Sequence, residues 1–276
     1  MTELSIQPLL DTQTVALRDI VCRGECRHKS AEECAHVTHL VFPYRGVYVR
    51  HVGRDDSVAE ANQVLFFNGG ESYHVSHPIG GGDACLSLAI GEPWLRELAS
   101  KDQVREGAGL RFRWQRLRID AHTQASVSLL RHTLSRRVSE TLEAEISVLS
   151  LVRRALGERA SHVPRASEGR KKLVDRAKLV LSSDLGRRWT LTEIAAEVGV
   201  SPVYLTQVFQ QVEGMPLYRY QLRLRLARAL DLLGRYDDLT SLSIELGFSS
   251  HSHFSSAFRQ VYGRTPTQFQ RLIHRR

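Results

Sequence analysis

The spacing of apolar residues divides the chain into a strand-like front, a helical middle and a helical back. From the start to about residue 120, apolar runs are short, rich in β-branched and aromatic residues, and cut by glycine. THLVFPYRGVYVRHVG (38–53) and ANQVLFFNGGESYHVSHPIGGGDACLSLAI (61–90) show this, the second punctuated by Asn68-Gly69-Gly70 and by Pro78 to Gly82. Short strands separated by glycine turns predict a small barrel or sandwich. From 121 to 156 the period becomes helical: Leu129, Leu130, Leu134, Val138, Leu142, Ile146, Leu149 and Val152 fall at helical spacing. Two helices are expected, broken near Arg136, and their apolar face is either core or a dimer seam. SHVPRASEGR (161–170) reads as a linker, and everything beyond it as helix.

The back half also repeats itself. LTEIAAEVGVS (191–201) aligns with LTSLSIELGFS (239–249), so that Ile194, Ala195, Val198, Gly199 and Ser201 match Leu242, Ser243, Leu246, Gly247 and Ser249. Further on, Leu205, Phe209, Gly214 and Tyr220 match Phe254, Phe258, Gly263 and Phe269, with one extra residue between Ser249 and Phe254. One supersecondary unit is therefore used twice. In the first copy Thr190 or Thr192 can cap a helix, with Glu193 and Glu197 on its surface. Gly199 allows a sharp turn, and Ser201-Pro202 restarts a helix with a cap and a proline at its first position. This is the pattern of helix, tight turn, helix that places its second helix in a DNA groove.

Charge follows the same division. Residues 1–164 hold 20 Lys/Arg and 20 Asp/Glu, whereas residues 165–276 hold 18 and 10, so the whole net charge of +8 lies in the back. A neutral front and a basic back point to a polyanion as the partner of the back. The stretch GFSSHSHFSSAF could suggest catalysis, but it contains no acid to orient a histidine and neither a G-x-S-x-G nor an H-E-x-x-H spacing. His251 and His253 diverge on a helix, so no metal pair is expected there. Ser201, Val203, Thr206 and Gln207 in one copy, and Ser250, His251, Ser252, His253, Ser255 and Ser256 in the other, are instead candidates for contact with base edges and phosphates.

Residues from about 171 to 271 resemble the double helix-turn-helix domain of the AraC/XylS family of transcription regulators. LTEIAAEVGVSPVYLTQVFQ and LGFSSHSHFSSAFRQVYGRTPTQFQR carry the resemblance. It implies seven helices, with a long one, Pro216 to Leu233, joining the two units. Leu222, Leu226, Ala229 and Leu233 would face its core, while Arg219, Arg223, Arg225 and Arg228 stay polar or reach phosphate. Arg223 is thus a further DNA candidate. Ser256 stands where many members carry arginine, and Ser243 replaces a small alanine, tolerable only if its hydroxyl is hydrogen-bonded. The front half resembles, less specifically, the cupin-like sensor of such regulators.

The expected fold is α+β in two domains. Residues 1–164 would form a cupin-like β-barrel sensor with a helical dimerisation segment at 121–160. Residues 165–276 would form an all-α DNA-binding domain with units at 190–213 and 239–262. The resemblance implies a homodimer with double-stranded DNA as partner, a small-molecule effector in front and RNA polymerase as a further candidate partner. No catalytic residue and no cofactor are assigned. No apolar run is long enough to cross a membrane, and MTELSIQPLLDTQ lacks a signal pattern, so a cytoplasmic protein is expected.

A metal-dependent cupin enzyme is the rival reading, and the spacing of His74 and His77 argues against it, because residues three apart on a strand face opposite ways. Cys22, Cys26 and Cys34 are candidates for a metal or redox site, with Arg23, Arg27 and Lys29 placed to lower a thiol pKa. Plain buried or surface cysteines are the more economical reading.

Overall fold

The computed structural model describes residues 4–24, 27–107, 109–136, 139–157 and 166–274. The chain forms two compact units, Met1–Ser161 and His162–Arg275.

The first unit begins with β1 (Leu4–Asp11), β2 (Val15–Cys22), β3 (Glu33–Cys34), β4 (His39–Gly46), β5 (Tyr48–Val52), β6 (Asp55–Ala59), β7 (Gln63–Phe67), β8 (Ser72–Ser76) and β9 (Asp83–Ile90). After α1 (Glu92–Leu98) come β10 (Val104–Arg105), β11 (Arg111–Phe112) and β12 (Arg116–Arg118), then α2 (Ala121–Ser135) and α3 (Thr141–Leu156). Six strands make one antiparallel sheet in the order β1-β2-β9-β4-β7-β12, four make another in the order β3-β8-β5-β6, and β10-β11 form a short ribbon.

The large sheet is covered on both faces, which is why β4 and β7 read as nearly unbroken apolar runs. Val41, Leu65, Phe67 and Cys85 point into the sandwich, where they meet Tyr48 and Ala59 of the small sheet. Leu40, Phe42, Val64 and Phe66 point the other way, into a larger core built with α2 and α3. Asp120 caps α2 by accepting from the Thr123 amide. Gln124 ties the helix to the sheet by donating to the Ala61 carbonyl and the Asn62 side chain, both at 2.8 Å.

The apolar face read along 121–156 is corrected here. The break after Arg136 resets the helical phase, so α3 turns Ala144, Val148, Leu151 and Ala155 inward. Leu142 and Ile146 are left 68% and 56% exposed, and Val138 lies outside the described residues. The strand placement of His77 is corrected too, since β8 ends at Ser76.

The second unit comprises α4 (Glu168–Ser183), α5 (Leu191–Val198), α6 (Pro202–Glu213), α7 (Leu217–Leu232), α8 (Leu239–Glu245), α9 (His251–Tyr262) and α10 (Pro266–His274). These are seven helices among the described residues. No helix of the described residues is long and apolar enough to cross a membrane.

Candidate nucleic-acid interface

Each half of the second unit is assembled by the same local devices. Thr190, not Thr192, caps α5, in a reciprocal box with Glu193. The Glu193 carboxylate accepts from the Thr190 amide at 2.7 Å and also meets the Thr190 hydroxyl and Arg187. These contacts, the Thr190 amide first, lower its pKa to about 2. Gly199 ends the helix in the left-handed conformation, and Ser201 caps α6 by accepting from the Tyr204 amide. In the second half Asp238 caps α8, Gly247 takes the left-handed turn, and a serine caps α9.

That serine is Ser250, whose hydroxyl accepts from the His253 amide. The sequence match of Ser201 with Ser249 is therefore shifted by one. The extra residue lies in the turn itself, between Gly247 and the cap, because cap and first core residue (Ser201 and Leu205, Ser250 and Phe254) must stay four apart to face correctly. Val203, Tyr204, Thr206 and Gln207 thus correspond to Ser252, His253, Ser255 and Ser256. Tyr204, half exposed, was not among the sequence candidates, and the cap register is the signal that finds it.

The inner faces repeat as well. Leu205 and Phe209, and Phe254 and Phe258, are fully buried. Phe209 meets Tyr220 edge-on with ring centres 5.2 Å apart, and Phe258 meets Phe269 in the same manner at 5.9 Å. Ser243, buried where an alanine is usual, donates its hydroxyl to the Thr240 carbonyl at 2.7 Å, so no polar group is stranded.

The outer faces carry the candidates. Ser201, Val203, Thr206 and Gln207 are exposed on α6, as are Ser250, His251, Ser252, His253 and Ser256 on or before α9; Ser255 is half-buried. Several have fixed geometry. Thr206 donates to the Val203 carbonyl, so toward a base edge its oxygen can only accept. Ser249 holds His253 Nδ1 at 3.1 Å and Phe248 packs edge-on against the ring, leaving Nε2 as its remaining hydrogen-bonding atom. His251 Nε2 lies 3.3 Å from the Ser255 hydroxyl. An exposed Val203 beside hydrogen-bonding neighbours supplies a partner for a thymine methyl next to polar readout.

The arginines of α7 divide differently from expectation. Arg225 is a structural clamp. It donates to the carbonyls of Leu185 and Arg187, each at 2.7 Å, and of Gly247 at 3.3 Å, tying the α4–α5 loop to the turn of the second half. Arg228 pairs with Asp231 one turn along. Arg223 is half-buried, and its charge acts on the Tyr262 hydroxyl, whose pKa burial pushes up. Leu226, Ala229 and Leu233 are buried as expected, whereas Leu222 is half-buried.

In the first unit the rival metal pair does not form. His74 Nδ1 lies 2.9 Å from the Ser30 carbonyl, whereas His77 sits with Asp83. Of the cysteine candidates, Cys22 is buried, Cys34 is exposed on β3, and Cys26 lies outside the described residues. The expected lowering of the thiol pKa is reversed at Cys22, which burial pushes up.

Comparison with known proteins places residues 194–272 within a family model described as a helix-turn-helix domain. The chain is 32% identical over 163 residues to the HTH-type transcriptional regulator ArgR of Pseudomonas aeruginosa, covering 57% of this chain and 49% of that protein. It is 33% identical over 92 residues to the HTH-type transcriptional regulator GadX of Escherichia coli O6:H1, covering 33% of each. The chain thus spans between a third and a half of the length of these relatives. A crystal structure of a transcriptional regulator from Chromobacterium violaceum, described by its AraC-type DNA-binding domain, is 30% identical. That match covers 39% of this chain and 96% of the other, with a TM-score of 0.37.

Proposed function

The C-terminal unit of this chain belongs to the AraC-type helix-turn-helix family, and from that premise we propose that the whole chain is a sequence-specific, effector-responsive transcription regulator. Its two recognition helices, α6 and α9, read successive major-groove segments, spaced by roughly 34 Å, one turn of DNA. The observation that carries the reading is the equivalence of the two helices. Each has a serine cap, a pair of buried core residues four apart inside (Leu205 and Phe209, Phe254 and Phe258) and an exposed outer face with hydrogen-bonding side chains, in the part of the chain that holds the whole charge excess.

Direct readout falls to Val203, Tyr204, Thr206 and Gln207 in the first half and to His251, Ser252, His253, Ser255 and Ser256 in the second. The cap residues Ser201 and Ser250 lie at helix N-termini, where phosphates bind, and Arg223 adds backbone charge. The effector belongs in the first unit. A cleft of about 1160 Å³ there has a mixed lining, with Glu71, Arg105 and Arg111 beside Val15, Ile90 and Leu110, suited to a small molecule that carries both apolar and charged or hydrogen-bonding groups. The exposed Leu142 and Ile146, one turn apart on α3, supply an apolar face for a second copy. Effector binding then alters operator affinity by linkage, through the arrangement of the paired chains. Cytoplasmic residence, and contact with RNA polymerase where the output is activation, belong to the same reading.

The test is binding of the purified protein to random duplexes at fixed salt, followed by selection and sequencing. Enrichment of a motif with two blocks about one helical turn apart supports the reading. Salt-sensitive binding without any motif overturns it.

A further inference from the structure

We propose that Cys22, His77 and Asp83 form a binding site for a divalent cation of the zinc class, at one end of the large sheet and apart from the cleft. One ligand atom from each residue lies within 4.8 Å of the other two. All three residues are buried, each less than a tenth exposed. Cys22 is the last residue of β2 and Asp83 the first of β9, and the two are direct partners across the ladder. His77 returns to the same end just past β8, before the Gly80-Gly81-Gly82 turn.

The cluster is poorly explained as packing. His77 Nε2 lies 2.6 Å from Asp83 Oδ2, but His77 Nδ1 is buried with no hydrogen-bond partner. Leaving a buried polar atom unsatisfied is destabilising, because it loses its hydrogen bonds to water and gains none. Cys85, two residues further along β9, shows what a packed thiol looks like here, seated among Val41, Leu65 and Phe67. Cys22 instead has the Gly24 amide donating to its sulfur at 3.4 Å, so its sulfur already sits in a polar contact.

The site is also held rigidly. Gly82 has φ +66°, and a side chain there would meet the Cys22 carbonyl oxygen at 2.2 Å. Gly46, at the end of β4 and paired with Asp83, would meet the Gly82 carbonyl oxygen at 2.1 Å. Three strand ends are thereby pressed together, which fixes the backbones that carry Cys22 and Asp83.

One sulfur, one imidazole and one carboxylate match a borderline cation with tetrahedral habit, with a fourth position left for water or another donor. Calcium and magnesium prefer more oxygens than the cluster offers. In such a site nitrogen and oxygen ligands on bonds of roughly 2 Å stand about 3.3 Å apart, so loading must part the His77–Asp83 contact.

The full-length protein, stripped with a chelator, is titrated with Co²⁺ and with Zn²⁺. The expected result is one ion per chain, with a thiolate-to-cobalt charge-transfer absorption that Cys22→Ser removes and Cys34→Ser leaves intact. His77→Gln keeps that absorption but weakens Zn²⁺ binding at least about tenfold, which also serves as the reading if Cys22→Ser fails to fold by circular dichroism. Substoichiometric binding, an absorption that survives in folded Cys22→Ser, or unchanged affinity in His77→Gln overturns the site.

Discussion

Lys178 Nζ lies 2.6 Å from Glu213 Oε1, and both side chains are fully buried. The pair joins the middle of α4 to the last residue of α6, so it fixes the angle at which α6 is held. Asp175 stands 3.6 Å from the same ammonium, and the Tyr220 ring lies 5.4 Å away. Removing one partner of a buried pair strands the other charge and costs about 3–5 kcal/mol, whereas replacing both by apolar residues is often neutral or stabilising. Lys178→Met alone should therefore lower the denaturation midpoint sharply, and Lys178→Met with Glu213→Leu should recover most of the loss. Chemical denaturation of the two variants checks this; equal losses would assign the effect to packing volume.

Gly247 and Gly263 separate two costs of a side chain. Both have positive φ, 77° and 74°. A Cβ on Gly247 would meet the Gly186 carbonyl oxygen at 2.1 Å, whereas one on Gly263 meets nothing within 4 Å. Gly263→Ala should cost only the conformational penalty of about 1–3 kcal/mol. Gly247→Ala should cost clearly more and disturb the turn that Arg225 also holds. Melting temperatures of the two variants rank the costs.

Glu193 gives the DNA-binding unit an acid-sensitive cap. Its folded pKa of about 2 lies below the unfolded value of roughly 4.3. A depressed carboxylate contributes stability that is fully present above the unfolded value and is lost as pH falls through the folded one. The melting-temperature gap between wild type and Glu193→Gln should thus be constant above about pH 5 and narrow towards pH 2. A gap independent of pH across that window would show that the charge of the cap contributes nothing.

Gln207→Ala should lose about 1–3 kcal/mol at the selected operator and relax the preference at one base position, with random-sequence affinity little changed. Arg223→Ala should weaken both alike and flatten the salt dependence. Equilibrium binding at two salt concentrations distinguishes the two patterns. Equal wild-type affinities for Gln207→Ala on both duplexes would remove α6 from the reading surface.

Ile146→Glu places a charge on the exposed apolar face of α3 without touching its buried side, where Ala144 and Val148 pack. The variant should be a folded monomer where the wild type sediments as a dimer. A dimeric Ile146→Glu would move the seam elsewhere.

The helix-turn-helix half was legible along the chain because its determinants are local. A cap, a left-handed glycine and buried apolar residues four apart act within one or two turns, and repetition makes them readable twice. The confinement of positive charge to the same half is equally a matter of order along the chain. The phase of α3 was not legible, because a break of a few residues decides which stripe faces the sheet. Nor was the single-residue shift that makes Ser250 the equivalent of Ser201, or the diversion of Arg225 from phosphate arm to clamp. Cys22, His77 and Asp83 show the limit most plainly: their spacing carries no motif. Only the pairing of β2 with β9 brings residues 22 and 83 side by side, since strand register is set by contacts between distant segments and not by either segment alone.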